Sequence, residues 1–257
     1  MIRSFQDQVC IVTGSSSGIG EGFAKVLAQR AARVVLFARR QARLEALAGQ
    51  LPGDPLVVVG DVTRAADREA LVQRTLDRWG RIDVLINNAG ADDRMRFLDM
   101  SPSDVERILL VNLVSPVMLS HAVAPSMVER GHGLIINVSS AMGDINAPRA
   151  TVYGTTKAGL SAFSLALFRG LQRHGVHVMN FVPGYTRSGM IPASADRKLP
   201  PFVKVHAATD AARRALDAAL RGKPVYVDGE WVIRLFMLFN RVMPRLADIV
   251  VRRIWGT

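Results

Sequence analysis

The stretch Thr13-Gly14-Ser15-Ser16-Ser17-Gly18-Ile19-Gly20 decides the fold of this chain of 257 residues. An apolar run at 9–13 precedes it, and a helical pattern at 20–30 follows it. Glycines at a strand-to-helix turn let the backbone turn tightly and approach a pyrophosphate, whose charge the amino end of the helix favours. The stretch therefore predicts a dinucleotide site formed by Gly14, Ser16, Ser17, Gly18, Ile19 and Gly20.

Apolar strand-type runs alternate with helical patterns along most of the chain. The strand runs are apolar throughout, which is typical of strands buried on both faces of a parallel sheet. Repeated βαβ units predict an α/β fold, namely a doubly wound (Rossmann) parallel sheet of about seven strands with helices on both faces. We predict strands at 9–13, 33–38, 56–59, 82–86, 134–138 and 176–182, and helices at 20–30, 40–50, 65–79, 102–128 and 153–174.

Composition limits the classes of function. The single cysteine, Cys10, cannot form an internal disulfide, and five scattered histidines lack the spacing of metal ligands. No segment reaches the roughly 18 uninterrupted apolar residues of a membrane span, and the eight residues before the first strand are too few for a signal peptide. We therefore expect a cytoplasmic protein without a metal.

The net charge of +11 comes almost entirely from arginine. One interpretation is a coding bias spread over solvated helix faces. The other is attraction to acidic partners, such as nucleotide phosphates, anionic lipid or an acidic carrier protein. Because no basic run carries interleaved aromatic residues, we expect no binding to nucleic acid.

The residues about twenty positions after the glycines bear on which dinucleotide binds. An acidic residue there would bind a ribose hydroxyl. This chain instead has Ala38-Arg39-Arg40. Two guanidinium groups suit a 2′-phosphate and so predict NADP(H). The alternative is that Arg39 and Arg40 simply begin an exposed helix.

An ordered set of motifs resembles the short-chain dehydrogenase/reductase family over about residues 6–228. The set comprises Thr13-Gly14-x-x-x-Gly18-x-Gly20, Asp61-Val62, Asn87-Asn88-Ala89-Gly90, Asn112, Ser140, Tyr153-x-x-x-Lys157 and Pro183-Gly184. The resemblance implies that Asp61 contacts the adenine amine and that Val62 lines its pocket. It also implies a ribose site shaped by Asn88, Ala89 and Gly90, and a nicotinamide site near Pro183, Gly184 and Thr186.

Tyr153 and Lys157 lie four residues apart, so they project from the same face of a helix. A nearby cation favours the phenolate and prepares a tyrosine for proton transfer. The resemblance implies that Tyr153 is the general acid/base, and that Lys157 stabilises its phenolate and holds the nicotinamide ribose. It further implies that Ser140 donates to the substrate oxygen and that Asn112 orders a relay water. The rival Ser139 points to the opposite face of its strand.

Residues 230–257 are predicted to form an amphipathic helical extension of a catalytic domain at 1–229. A nearly all-round apolar helix starts near Trp231, and Pro244 breaks or kinks it before a second amphipathic stretch. Three interpretations remain open. The extension packs on its own domain, forms a subunit interface, or lies on an anionic membrane surface through residues 231–257. We also expect a homodimer or homotetramer.

The resemblance predicts an NADP(H)-dependent oxidoreductase that acts on a carbonyl or alcohol, with a lipophilic or acyl-linked ketone as substrate. A steroid- or polyol-type dehydrogenase of the same family is the alternative, because segments 142–150 and 185–205 would set the choice of substrate. A non-enzymatic dinucleotide sensor or membrane-associated scaffold is a third hypothesis. The pair Thr155-Thr156 departs from the smaller residues usual in the family but leaves the reacting side chains intact.

Overall fold

Seven parallel strands form one sheet in the computed structural model, which describes residues 2–92, 95–187, 205–229 and 231–255. The order across the sheet is β3-β2-β1-β4-β5-β6-β7. This order reverses direction between β1 and β4, and such a switch point is where doubly wound sheets bind ligands. The strands are β1 (Val9–Thr13), β2 (Arg33–Ala38), β3 (Leu56–Val59), β4 (Val84–Asn87), β5 (Gly133–Val138), β6 (Val176–Val182) and β7 (Val225–Val227).

Helices cover both faces of the sheet, as predicted. Along β1, Cys10 and Val12 enter one hydrophobic cluster, while Ile11 enters the other on the opposite face. Burial on both faces explains why this strand is apolar from Val9 to Val12. The helices are α1 (Gly18–Gln29), α2 (Gln41–Ala48), α3 (Ala65–Trp79), α4 (Pro102–Leu109), α5 (Ser115–Glu129), α6 (Met142–Ile145), α7 (Thr151–Leu171), α8 (Ala208–Leu220), α9 (Trp231–Val242) and α10 (Pro244–Trp255).

The predicted doubly wound fold and its C-terminal helices are confirmed, with small shifts in some boundaries. Strand β4 runs over Val84–Asn87 instead of 82–86, and α7 begins at Thr151 and ends at Leu171. The division into domains at 1–229 and 230–257 stays a prediction. The sequence analysis missed α8, which packs against α1 through a face of small alanine side chains. A Cβ on Gly22 would lie 2.6 Å from the Ala208 carbonyl oxygen, so this helix pair requires glycine.

The predicted helix at 102–128 is three segments joined end to end. A π-helical turn at Leu110–Val114 separates α4 from α5. Among the described residues, Pro102–Glu129 is the one stretch long and apolar enough to cross a membrane by length and composition alone. However, Leu119, Val123 and Met127 are buried in a core cluster beneath the sheet. Packing against the sheet therefore accounts for part of its apolar character, while Leu110, Val114 and Met118 are exposed.

Candidate active site

A cavity of about 440 Å³ opens at the carboxyl ends of the central strands. Three chain segments far apart in sequence meet there, namely the glycine-rich turn, the end of β2 and the start of α7. Predicted site residues that line it are Gly14, Ser16, Ser17, Gly18, Ile19, Arg39, Arg40, Asp61, Val62, Asn88, Ala89, Gly90, Tyr153, Lys157 and Pro183.

The remaining predicted residues lie outside the cavity wall. Gly20 supports the glycine-rich turn by close packing, because a Cβ there would lie 2.4 Å from the Gly14 carbonyl oxygen. Gly184 is also closely packed, against the residue that follows β7: a Cβ on Gly184 would lie 2.3 Å from the Asp228 carbonyl oxygen. Thr186 is buried and donates to the Gly184 carbonyl at 2.9 Å. These residues shape the backbone around the site instead of lining it.

The glycine-rich turn presents an anion site to the cavity. Helix α1 begins at Gly18, and its N-cap residue, Ser17, makes no side-chain capping hydrogen bond. The first N–H groups of a helix have no partner within it, and the helix dipole adds positive potential there. Gly14 adopts a φ of +66°, which favours glycine. The turn therefore fits a pyrophosphate.

Two guanidinium groups flank this turn. Arg40 donates to the Ser16 hydroxyl at 2.8 Å and to the Ser17 hydroxyl at 2.7 Å. The Arg39 side chain is 75% exposed, and its Nη1 lies 3.7 Å from an Asp61 carboxylate oxygen. The other Asp61 oxygen accepts from the Thr63 amide and hydroxyl. Arg39 and Arg40 thus present two cations and hydroxyl groups to a phosphate at this end of the cavity.

Helix α7 brings Tyr153 and Lys157 to the opposite end of the cavity. The Lys157 Nζ lies 5.6 Å from the centroid of the Tyr153 ring. This lysine is only 4% exposed, and its ammonium donates to the Val138 carbonyl at 2.8 Å. Burial lowers the pKa of Lys157 to about 8, while the carboxylate of Asp92 opposes the shift. A half-neutral lysine at mildly alkaline pH would gain strongly from any anion formed nearby.

The two serines after β5 have different environments. The buried Ser139 hydroxyl donates to the Lys157 carbonyl at 2.9 Å and lies 2.7 Å from the Ser161 hydroxyl. The half-buried Ser140 hydroxyl accepts from the Met142 amide at 3.2 Å. Accepting that bond leaves the Ser140 hydrogen available for donation. Ser139 lines the cavity and Ser140 does not, so the role of Ser140 as substrate donor stays a prediction.

Asn112 lies in the π-helical turn, fully buried, and does not line the cavity. Its Oδ1 accepts from the Ala91 amide at 2.8 Å, and its Nδ2 donates to the Ala91 carbonyl at 2.8 Å and to the Thr156 hydroxyl at 3.2 Å. Both ends of the amide are therefore engaged. The relay water assigned to Asn112 stays a prediction, and π-helical turns occur frequently at functional sites.

Thr156 and Arg107 belong to the site but were not predicted from the sequence. The Thr156 hydroxyl joins the Asn112 amide to the Tyr153 carbonyl, to which it donates at 2.7 Å. The signal was the departure at Thr155-Thr156, which we expected to be without effect on the site. Arg107 also lines the cavity, but on sequence alone it is one more arginine on a helix. Of the predicted substrate segment 185–205, residues 188–204 lie outside the described part of the chain.

Burial of Lys157 makes folding depend on pH. Its pKa of about 8 in the folded protein lies below the ordinary value of 10.5. Between these values the unfolded chain binds more protons, so raising the pH stabilises the fold. From pH 7 to about 10.5, we expect the free energy of unfolding of the cofactor-free protein to rise by about 3 kcal/mol more than that of Lys157→Met.

Urea denaturation of both proteins across this pH range measures the difference. The variant also loses the bond to the Val138 carbonyl, but that loss shifts its curve equally at every pH. Other titrating groups are common to both proteins and cancel in the comparison. Parallel curves would show that Lys157 has an ordinary pKa in the folded protein.

Comparisons with known proteins show relatives in sequence and in fold. A sequence profile described as short chain dehydrogenase matches residues 8–198. A protein of Arabidopsis thaliana named 11-beta-hydroxysteroid dehydrogenase-like 4A is 34% identical over 93% of this chain and 82% of its own length. A short-chain dehydrogenase from Sphingobium yanoikuyae, solved with NADPH, is 32% identical, with a TM-score of 0.78 over 86% of this chain and 87% of its own. A 3-ketoacyl-(acyl-carrier-protein) reductase from Brucella melitensis, solved with NADH, is 27% identical, with a TM-score of 0.82 over 88% and 97%.

Proposed function

Because this chain belongs to the short chain dehydrogenase family of oxidoreductases, we propose that it reduces a lipophilic or acyl-linked ketone with NADPH, or runs the reverse oxidation. The observation that carries the proposal is the position of Lys157 Nζ, 5.6 Å from the Tyr153 ring centroid at one end of the cavity. An anion site and two arginines lie at the other end. That arrangement suits a dinucleotide with its nicotinamide beside the tyrosine.

The residues around the cavity fit NADP(H). When bound, the nicotinamide supplies or accepts the hydride. The uncapped start of α1 would hold the pyrophosphate, while Arg39 and Arg40 would hold the 2′-phosphate. The relative solved with NADPH supports NADP(H) as the cofactor, whereas the relative solved with NADH supports NAD(H) as the alternative. Asp61 would bind the adenine amine and Val62 would line its pocket.

Reduction of a carbonyl requires a proton for the new alkoxide and polarisation of the C=O bond. Tyr153 donates its phenolic proton to the substrate oxygen, and it accepts a proton from the alcohol in the reverse direction. The Lys157 ammonium stabilises the resulting phenolate and would hold the nicotinamide ribose when the cofactor is bound. Ser140 donates a hydrogen bond to the same oxygen. Asn112 and Thr156 hold the backbone around Tyr153 and help to order a relay water.

Apolar packing beside Tyr153 favours a lipophilic substrate. Ile145, Ala147 and Ala150 form a small buried cluster, against which both Tyr153 and Phe236 pack. The acyl-carrier reductase among the solved relatives supports a chain-like acyl substrate.

A hydroxysteroid is the second candidate substrate. The relative named for 11-beta-hydroxysteroid dehydrogenase aligns with 93% of this chain, whereas the family profile ends at residue 198. That alignment is long enough to reach beyond the core of the fold towards its C-terminal helices. The chemistry at Tyr153, Lys157 and Ser140 is the same for both substrates.

A substrate panel tests the proposal. Ketoacyl thioesters, ketosteroids and short polar ketones are each supplied with NADPH, and oxidation of the cofactor is followed by its absorbance. We expect the ratio kcat/KM to increase with the apolar surface of the substrate. Activity limited to small polar ketones would contradict the lipophilic assignment, and no turnover with any substrate would favour a dinucleotide sensor.

A further inference from the structure

The two C-terminal helices α9 and α10 expose an unusual number of large apolar side chains. Half of the large hydrophobic residues that are exposed in the described part of the chain lie in this short segment. They are Trp231, Leu235, Leu238, Val242, Met243, Leu246, Ile249 and Val250. Contiguous apolar surface of this kind marks a site of interaction.

One face of α9 packs against the rest of the protein. The ring of Phe236 packs against the apolar cluster beside Tyr153, and Asn240 donates to the Asp144 carbonyl of α6. The opposite face is an apolar stripe, defined here as Trp231, Leu235, Leu238 and Val242. Its spacing of four, three and four residues places all members on one side of the helix. Trp231 is 70% and Leu238 58% exposed, so the packing of α9 leaves this stripe uncovered.

The charges around the stripe favour an anionic partner. Residues 231–255 contain five arginines, Arg234, Arg241, Arg245, Arg252 and Arg253, against one acidic residue, Asp248. All five arginines are exposed. Arg234 and Arg241 lie seven residues apart, on one flank of the stripe. A second copy of the chain would bring the same positive charges against these, which disfavours self-association through this face.

We propose that α9 and α10 dock the protein on an anionic lipid bilayer. Aromatic and aliphatic side chains on one face with arginines at its edge are the pattern of an interfacial helix, which buries its apolar face in the boundary between headgroups and acyl chains. The arginines reach the headgroup phosphates, and each adds about five-fold to binding at an anionic surface.

Docking would also place the active site at the membrane surface. The inner face of α9 contacts the same apolar cluster as Tyr153, so the helix that meets lipid packs beside the proposed general acid. A lipophilic ketone could then enter from the bilayer without crossing water. This part of the inference rests on the proposed function, whereas the docking itself does not.

Sedimentation with vesicles tests the docking without any turnover. The full chain is mixed with vesicles of phosphatidylcholine alone or of phosphatidylcholine with phosphatidylglycerol. We expect binding to the anionic vesicles that is reduced about ten-fold in Leu235→Ser/Leu238→Ser. Arg241→Gln/Arg245→Gln should lose about 25-fold on anionic vesicles and leave binding to phosphatidylcholine alone nearly unchanged. Leu98→Ser, which removes a 92% exposed leucine elsewhere, should bind like the native chain.

Three results would overturn the proposal. The native chain could fail to bind either vesicle, or the leucine variant could bind as well as the native chain, which would indicate charge attraction alone. The leucine variant could instead convert an oligomer to a monomer in a chain that binds no vesicles, which would identify the stripe as a subunit interface. Tyr153→Phe should bind vesicles normally, so a failure of the proposed function is distinguishable from a failure of docking.

Discussion

Tyr153→Phe should lower turnover by about 10³-fold while NADPH affinity changes by no more than a few-fold. The substitution removes the one proton that the proposed reaction transfers to the substrate oxygen, and a positioned general acid contributes about 10² to 10⁴-fold. The ring itself remains, so its contact with the apolar cluster of α6 persists. Steady-state rates with NADPH and a fluorescence titration of the cofactor measure the two effects separately.

Tyr226→Phe is the matched control for this prediction. The Tyr226 hydroxyl donates to Asp228 at 3.2 Å, and its ring stacks on Phe181, remote from the cavity lining. Its loss should cost about 1 kcal/mol of stability and leave turnover unchanged. If Tyr153→Phe turned over as fast as Tyr226→Phe, the assigned acid would be wrong. If both the native chain and the variant bound NADPH without turnover, a sensor would be the better hypothesis.

Arg39→Ala/Arg40→Ala should weaken NADPH binding by about 100-fold and NADH binding by only a few-fold. The two dinucleotides differ by the 2′-phosphate, and charge-assisted bonds to it are worth about 1.5–3 kcal/mol each. The serine hydroxyls of the turn already orient Arg40, so the unbound site needs little rearrangement. Dissociation constants for both cofactors with each single and the double variant measure the discrimination.

Arg43→Ala provides the matched control, because this exposed arginine lies on α2 and does not line the cavity. It removes the same charge from the same surface region. We expect it to leave the ratio of the two dissociation constants unchanged. An equal loss of NADPH and NADH in the double variant would show that the arginines act on the pyrophosphate or on the fold, and not on the 2′-phosphate.

Sequence patterns were most informative where one physical requirement acts on consecutive residues. Strand β1 is apolar at its first four positions because each of its side chains is buried on one face or the other. Helix α8 was not predicted, and its contact surface on α1 is mostly alanine, which packs closely. Gly20 matched a cofactor motif, yet the structure shows its requirement in packing against Gly14.

The hydrogen-bond partners of the polar side chains could not be predicted from sequence spacing. The position of Ser140 relative to Tyr153 suggested its role, but only the structure shows that the Ser139 hydroxyl is engaged with α7. Likewise, the place of Asn112 in the chain does not reveal that both ends of its amide are engaged by Ala91 and Thr156. Hydrogen-bond partners that are distant in sequence decide which groups remain available for chemistry.

The π-helical turn at Leu110–Val114 sets how residue number and helix face correspond in this region. A π-helical turn holds one residue more than an α-helical turn would need. Deleting a single residue there would restore a continuous α-helix with the faces of α4 and α5 nearly unchanged, whereas a deletion between Arg107 and Leu119 outside this turn would rotate one half by about 100° relative to the other. Arg107 could then face the cavity or Leu119 could face the sheet, but not both. Insertions and deletions in this helix outside the turn should therefore be tolerated less than most substitutions, because residue number sets which way each half faces.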